Sequence, residues 1–530
     1  MIDRDRRPRQ AAGRAVTGAA ALALAGLLGL AGPSGFATVA LAKSRTTHVE
    51  VVQTTSDLSE RLTRLPGAEF GAAPSPGLPV IDVDETVRYQ RVAGFGAAMT
   101  DSSAWLLYEK LSPRTRTAVM RRLFGTGGIR LSYVRLPMGA TDFTRDGRPY
   151  TYDDLRRGRS DPRLSRFSIS HDRAYIIPAL RQMLAIDRHV EILATPWSPP
   201  AWMKTNHRLN NDANGGMLKR SAYRPLARYF VKFIQAYARR RIPIAAITPQ
   251  NEPGQQTSYP GLNWPEPSEA RWIVNDLRPA LSAAGLQPRI YGLDFSWVAA
   301  PYAQSLISSA PAARTIAGVA WHCYVGDPTA MTMLHELAPQ LQQIETECSS
   351  GIAPAPVAEL VIASMRNWAS TVLLWNLALD PDGGPVQRPN AGCRHCTGVV
   401  TVHERTRTAS YGRDYYQLGQ ASRFIQRGAR RIHSDTFVSY LFRVDGQGND
   451  YASAGVDDVA FENPNGSKVL LAYNNTQTAQ SFAVEWHRRS FPYTLPPGAT
   501  VTFVWGKHRP GPGRGGRRVV VRRGRGVVVR

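Results

Sequence analysis

From residue 93 to residue 425, short apolar runs alternate with longer stretches whose apolar positions recur every three or four residues. Runs of the first kind lie at 93–95, 131–136, 190–194, 244–248, 289–293, 317–322, 342–346 and 370–375, and they predict strands. The stretch 226–237 shows the second kind. Leu226, Phe230, Phe233, Ile234 and Tyr237 fall on one helical face, while Arg228, Lys232 and Gln235 face away. The helix after the first strand takes its cap from Thr100 or Asp101 and carries Ala104, Trp105, Leu107 and Leu111. Eight strands alternating with helices predict an α/β fold, a (β/α)8 TIM barrel with large loops after its strands.

Past residue 415 the pattern changes. A last helix at 416–424 gives way to short alternating strands at 437–442, 458–462, 468–474, 480–486 and 500–505. Asp445-Gly446, Asn463-Pro464-Asn465-Gly466 and Pro496-Pro497-Gly498 supply turns between them. These strands predict an all-β sandwich. Two further strands, 47–54 and 79–87, precede the barrel and flank a Gly/Pro/Ala-rich connection at 66–79. They have no barrel role, so they are expected to complete a sandwich built from both chain ends. The expected division is 1–42 leader, 43–92 and 426–506 sandwich, 93–425 barrel, and 507–530 tail.

Composition and charge refine this picture at the termini. Five arginines precede the apolar run 15–31, and Ala40-Leu41-Ala42 offers a small-residue cleavage site. That layout predicts a secretory signal and an extracellular protein. Net charge is +24, and nine of the Lys and Arg residues lie past Gly506 in a Gly/Pro/Arg/Val tail without acids. Such a tail has no apolar period with which to join a core, and it is expected to associate electrostatically with anionic wall or membrane surfaces. No zinc-finger spacing or RNA-recognition signature accompanies the charge, so no specific nucleic-acid partner is expected. The four cysteines, Cys323, Cys348, Cys393 and Cys396, permit two disulfides in an exported chain, for example Cys323–Cys348 and Cys393–Cys396. Zinc would need a second closely spaced pair, and no metal or other cofactor is expected.

The candidate chemistry sits at strand ends. The fourth strand runs into Gln250-Asn251-Glu252-Pro253, where Pro253 biases Glu252 toward extended backbone. The seventh ends Ile344-Glu345-Thr346-Glu347-Cys348, and simple alternation points Glu345 and Glu347 to one side and Thr346 to the other. Two carboxylates at the C-terminal face of one barrel are the minimal equipment for glycoside hydrolysis: one protonates the leaving oxygen, and the other attacks the anomeric carbon or activates water. Asn251 stands beside Glu252. Trp197 and Trp375 close strands three and eight, Arg135 and Asp142 follow from strand two, and His322 and Tyr324 from strand six. Each has an ordinary structural explanation alone, but polar and aromatic groups at the same end of six strands are poorly explained by packing. No G-x-S-x-G elbow, G-x-G-x-x-G loop or H-E-x-x-H helix is present. A secreted carbohydrate-binding protein without turnover is the alternative of another class, and a surface binder acting through the basic tail is a third.

Several of these segments are familiar together. Gly94-Phe95-Gly96-Ala97-Ala98-Met99-Thr100-Asp101, Arg135-Leu136-Pro137-Met138, Thr141-Asp142-Phe143, Pro196-Trp197-Ser198-Pro199-Pro200, Gln250-Asn251-Glu252-Pro253, Thr346-Glu347-Cys348 and Trp375-Asn376-Leu377-Ala378-Leu379-Asp380 resemble glycoside hydrolase family 30, above all its glucosylceramidase branch. The resemblance implies a retaining β-glycosidase in which Glu252 is the acid/base and Glu347 the nucleophile. It also implies that Arg135 bonds near the nucleophile, that Tyr324 sits beside it, and that Asp142, Trp197, Asn251, Trp375 and Asn390 line the glucose subsite. The implied substrate is a β-glucoside of carbohydrate or glycolipid type, with glucosylceramide first and β-1,6-glucan as the alternative. The segment 386–389 and Cys393-Arg394-His395-Cys396 depart from the lysosomal branch member at the cleft rim, where the aglycone would bind.

Overall fold

The computed structural model describes residues 47–71, 77–212, 215–352, 355–387, 393, 395–434 and 455–506. The leader, the tail, the expected strand 437–442 and Asn390 lie outside the described residues.

Eight parallel strands close into a barrel: β1 (Gly94–Ala98), β2 (Tyr133–Pro137), β3 (Glu191–Thr195), β4 (Ala246–Ile247), β5 (Arg289–Ser296), β6 (Gly318–His322), β7 (Gln342–Glu347) and β8 (Ala369–Leu374). They are wrapped by helices, so almost every strand position is buried, as two-sided cover requires. Tyr133, Leu193, Ala246, Tyr291, Ala320, Ile344 and Leu373 form one buried cluster of strand residues, which makes the barrel interior a packed core. Gly96 allows β1 to approach β2, because a Cβ there would fall 1.7 Å from the Tyr133 carbonyl oxygen. The helix Tyr223–Ala238 buries Leu226, Phe230, Phe233, Ile234 and Tyr237 as its period predicts. Thr100 caps the first helix by accepting from the Ser103 N–H.

Both chain ends build the sandwich. Its strand order is Thr63–Glu69, His48–Thr54, Thr500–Trp505, Lys468–Asn474, Val456–Glu462, Arg430–Ser434, Val80–Arg91, Gln480–Trp486 and Arg489–Leu495. The long strand Val80–Arg91 turns the corner. Its start pairs in parallel with Ala483–Glu485, and its later part pairs antiparallel with Arg430–Ser434. The inward residues of these strands, among them Val51, Ile81, Leu470, Phe482, Phe491 and Phe503, form a second core. Three of the described sandwich strands were not expected. Thr63–Glu69, part of which falls in the expected 66–79 connection, and Arg489–Leu495 each contain a proline and sit at the two ends of the strand order, where a missing N–H is tolerated. Arg430–Ser434 carries a single apolar residue, Ile432, and so shows no strand pattern in the sequence. The hairpin before Arg489 turns through His487 and Arg488 at φ 54° and 60°, a left-handed pair that residue type does not advertise.

The sandwich is tied to the outside of the barrel. Gln90 donates to the carbonyls of Met365 and Ala369, and Gln420, on the helix Arg413–Ser422, bonds the hydroxyls of Thr54 and Thr502. Among the described residues no helix is long and apolar enough to cross a membrane.

Candidate active site

A cavity of about 300 Å³ opens over the C-terminal ends of the barrel strands. Asp142, Trp197, Asn251, Glu252, Tyr324, Glu347 and Trp375 all line it, so seven of the nine residues expected at the site meet in one place. Arg135 lies beneath it, fully buried on β2, and Asn390 is outside the described residues.

Glu252 does not end a strand in extended geometry. β4 stops at Ile247, and Glu252 sits on the following loop with φ 45°, in the left-handed region. The tertiary structure overrides the bias from Pro253: the Glu252 N–H donates to the Asp294 carbonyl at 2.9 Å, and its own carbonyl accepts from Gln255 at 3.1 Å. Its carboxylate faces His322, with Nδ1 to Oε1 at 3.1 Å, and Tyr259 at 3.5 Å.

Glu347 closes β7. Arg135 Nη1 donates to its Oε2, and the Tyr324 hydroxyl donates to Oε1 at 3.0 Å. Burial raises its pKa above the ordinary carboxylate value; His322 and Arg135 offset part of that rise, and Glu252 adds to it. Glu345 takes another path. It is fully buried, accepts from Trp297 Nε1 at 2.9 Å and stays out of the cavity lining; burial raises its pKa well above the usual range. Thr346 lies opposite Glu345, as alternation has it, with its hydroxyl donating to Asp294 Oδ1 at 2.6 Å, so the residue that departs from alternation is Glu347, which faces the cavity without Glu345. The cause is a β-bulge: Trp321 pairs with Glu345 and His322 with Glu347, leaving Thr346 as the extra residue.

Asp294 is the residue that sequence reasoning missed. It accepts from Arg135 at 2.8 Å, Thr248 at 2.7 Å, Thr346 at 2.6 Å and His322 at 3.2 Å. Burial pushes its pKa up, but Arg135 and His322 outweigh it and hold the carboxyl well below the usual range. Burial disfavours the charge on His322, yet Glu347, Asp294 and Glu252 together push it up to about 10. The only sequence signal for Asp294 was an acid just past the expected end of the fifth strand; in the structure β5 continues through it on a bulge, with Leu293 and Asp294 at φ 69° and 64°.

The remaining wall is aromatic. Trp197 and Trp375 stack with centroids 5.1 Å apart, and the Arg135 guanidinium lies 4.6 Å from the Trp197 ring centroid. Asn251 Oδ1 accepts from Arg135 at 2.6 Å. Asp142 is buried here, and burial, then Glu347, raises its pKa well above the usual range. Cys393, bonded to Cys396, lies at the rim with Ile352.

One oxygen of Glu252 and one of Glu347 lie within 4.8 Å of each other, with a His322 nitrogen in the same radius. That spacing would admit a cation, but His322 directs Nδ1 at Glu252 and Nε2 at Asp294, so both ring nitrogens are committed to carboxylates. The arrangement is two facing carboxylates, one bound by an arginine and a tyrosine, in a cavity walled by indoles.

Comparison with known proteins gives this arrangement a family. Residues 92–425 match the glycosyl hydrolase family 30 TIM-barrel domain, and residues 428–503 match that family's β-sandwich domain. The chain belongs to glycoside hydrolase family 30. It is 31% identical to an endo-1,6-β-D-glucanase of Trichoderma harzianum over 76% of this chain and 81% of the relative. It is 30% identical to the lysosomal acid glucosylceramidase of Mus musculus over 79% and 82%. A solved endo-β-1,6-glucanase superposes with a TM-score of 0.75 at 28% identity, covering 87% of this chain and 99% of that one. As a family 30 glycoside hydrolase, this protein is an enzyme acting on carbohydrate.

Proposed function

We propose that this protein hydrolyses β-1,6-linked glucan with retention of anomeric configuration. The observation that carries the mechanism is that one oxygen of Glu252 and one of Glu347 approach to within 4.8 Å, a closeness that favours the retaining spacing of about 5–5.5 Å between carboxyl groups over the inverting one of about 6.5–9.5 Å. In this reading Glu347 attacks the anomeric carbon, freed for attack by Arg135 and Tyr324, which orient its two oxygens. Glu252 gives a proton to the leaving oxygen, then takes one from the water that releases the sugar. His322, cationic between Glu252 and Asp294, holds the acid in place. Trp197, Trp375, Asp142 and Asn251 hold the glucose ring, with the indoles supplying apolar faces and the polar pair supplying hydroxyl contacts.

The linkage rests on the relatives. Endo-1,6-glucanases of Trichoderma harzianum, Neurospora crassa and Aspergillus fumigatus are 31%, 32% and 30% identical to this chain, and a glucanase structure superposes along most of its length. These likenesses support β-1,6-glucan over the glucosylceramide expected first; the mouse enzyme's 30% identity supports the glycolipid as a second reading. Secretion is part of the proposal, supported by the leader and by two disulfides that persist in an oxidising compartment. Incubation with β-1,6-glucan and with glucosylceramide side by side tests the substrate: short β-1,6 oligosaccharides are expected, and release of ceramide without glucan cleavage would reverse the order. A first-formed β-anomer, read by proton NMR, is expected; an α-anomer would remove the retaining mechanism.

A further inference from the structure

A covalent bond joins the two strand ends that carry the polar floor of the cavity. Cys323 and Cys348 form a disulfide with Cα atoms 5.4 Å apart, and both are buried. Cys323 stands between His322 and Tyr324, and Cys348 directly follows Glu347. The cross-link is thus rooted beside three side chains of the site: His322, which faces Glu252 and Asp294, and Tyr324 and Glu347, which hydrogen-bond each other.

Backbone pairing at this corner is interrupted by a bulge and ends with the His322–Glu347 pair. The bulge at Thr346 interrupts the β6–β7 ladder one residue before Glu347, and a bulge leaves its extra residue unpaired and bends the strand. Beyond it the Cys323 N–H reaches the Glu347 carbonyl at 3.3 Å, and on the opposite side the Trp375 N–H reaches the Cys348 carbonyl. The chain then leaves the barrel and turns through Ile352, which lines the cavity. A carboxylate at the end of a bulged strand, followed directly by a loop, would have room to shift against its hydroxyl partner without a second tie.

We propose that the Cys323–Cys348 disulfide is a positioning element of the active site: it locks the Tyr324 and Glu347 backbones together where the interrupted ladder does not. This rests on the reading of Glu347 as the attacking carboxylate. A bond that only stabilised the fold would change the melting temperature and leave turnover alone. A bond that positions the attacking group changes kcat with little effect on KM, because Trp197, Asn251 and Asp142, which hold the sugar, lie on other strands and loops.

The test is the double variant Cys323→Ala/Cys348→Ala, assayed on an aryl β-glucoside well below its melting temperature. A fall in kcat of roughly tenfold to a hundredfold with KM within about twofold is expected, the scale that a displacement near 1 Å brings. A lower melting temperature with kcat within about twofold of the parent would overturn the inference. Should the double variant fail to fold, the folded Cys393→Ser/Cys396→Ser protein is assayed before and after reduction with a phosphine. Thiols are counted by mass, so that only the buried bond is followed; loss of kcat in step with its reduction is expected, and full kcat in the reduced protein overturns the inference. Wild-type enzyme that cleaves no β-glucoside at all would remove the underlying reading, and the inference with it.

Discussion

Arg135 and Asp294 form an ion pair with both side chains fully buried, Nη2 to Oδ2 at 2.8 Å, directly beneath the cavity. The same guanidinium reaches Glu347 and Asn251, and the same carboxylate reaches His322. Every charged group of the floor therefore connects to this pair. Breaking it should be severe, because Asp294→Asn takes one anion from a buried cluster and leaves Arg135 with Glu347 as its remaining charged partner: the substitution should cost up to about 3–5 kcal/mol of unfolding free energy, measurable by chemical denaturation. Arg135→Lys should also fail to restore activity, since one ammonium cannot span Glu347, Asn251 and Asp294 as a planar fork does. Near-wild-type kcat in the lysine variant would show that the fork geometry is dispensable.

The two carboxylates should respond differently to amide replacement. Glu347→Gln is expected to abolish turnover on every β-glucoside; near-full activity on an aryl glucoside would sink its assignment as nucleophile. Glu252→Gln should lose roughly 10²–10⁴ in kcat on glucan but far less on a substrate whose phenolate leaves without protonation. Equal losses on both would count against the acid role.

His322 makes a pH prediction for stability. Its folded pKa of about 10 exceeds the ordinary 6.5, so its stabilising charge is fully present below about 6.5 and is lost as pH rises through about 10. His322→Gln should therefore melt well below the wild type at pH 6, with the gap narrowing toward pH 10. Melting curves of the two proteins across that range check it. A gap that stays constant would mean that the imidazole is not charged in the fold.

The basic tail should be separable from catalysis. Deleting residues 507–530 removes nine positive charges. We expect kcat on a soluble aryl glucoside to stay within about twofold, with a loss of salt-sensitive retention on anionic surfaces. Loss of turnover in the truncated enzyme would give the tail a direct part in the site.

Much of the barrel was legible because period is a local property. Apolar runs that bury both faces and helices repeating every three to four residues announce themselves without knowledge of their neighbours, and strands β1 to β8 all appeared close to where the pattern put them. Apolar, β-branched or aromatic-rich strands of the sandwich, such as Lys468–Asn474 and Thr500–Trp505, were equally readable. Edge strands carrying Pro66 or Pro492 were not, because their place in a sheet depends on which partner is missing.

For the site, the sequence by itself determined the residue types at the strand ends and their common face: Glu252, Glu347, Trp197, Trp375 and Tyr324 converge because all parallel strands end on the same side of a barrel. Alternation alone left Glu345 and Glu347 equivalent, and the likeness to family 30 selected Glu347. Tertiary structure decided the rest. A bulge at Thr346 separates Glu345, which goes to Trp297, from Glu347, which faces the cavity. A left-handed Glu252 turns its carboxylate toward His322 against the preference of the residue before a proline. Asp294 became a hub only when three strands and the residue just past a fourth brought Arg135, His322, Thr346 and Thr248 around it. Bulges, left-handed residues and buried charge networks are each unfavourable locally and persist only through contacts from elsewhere in the chain, so no window of sequence contains them.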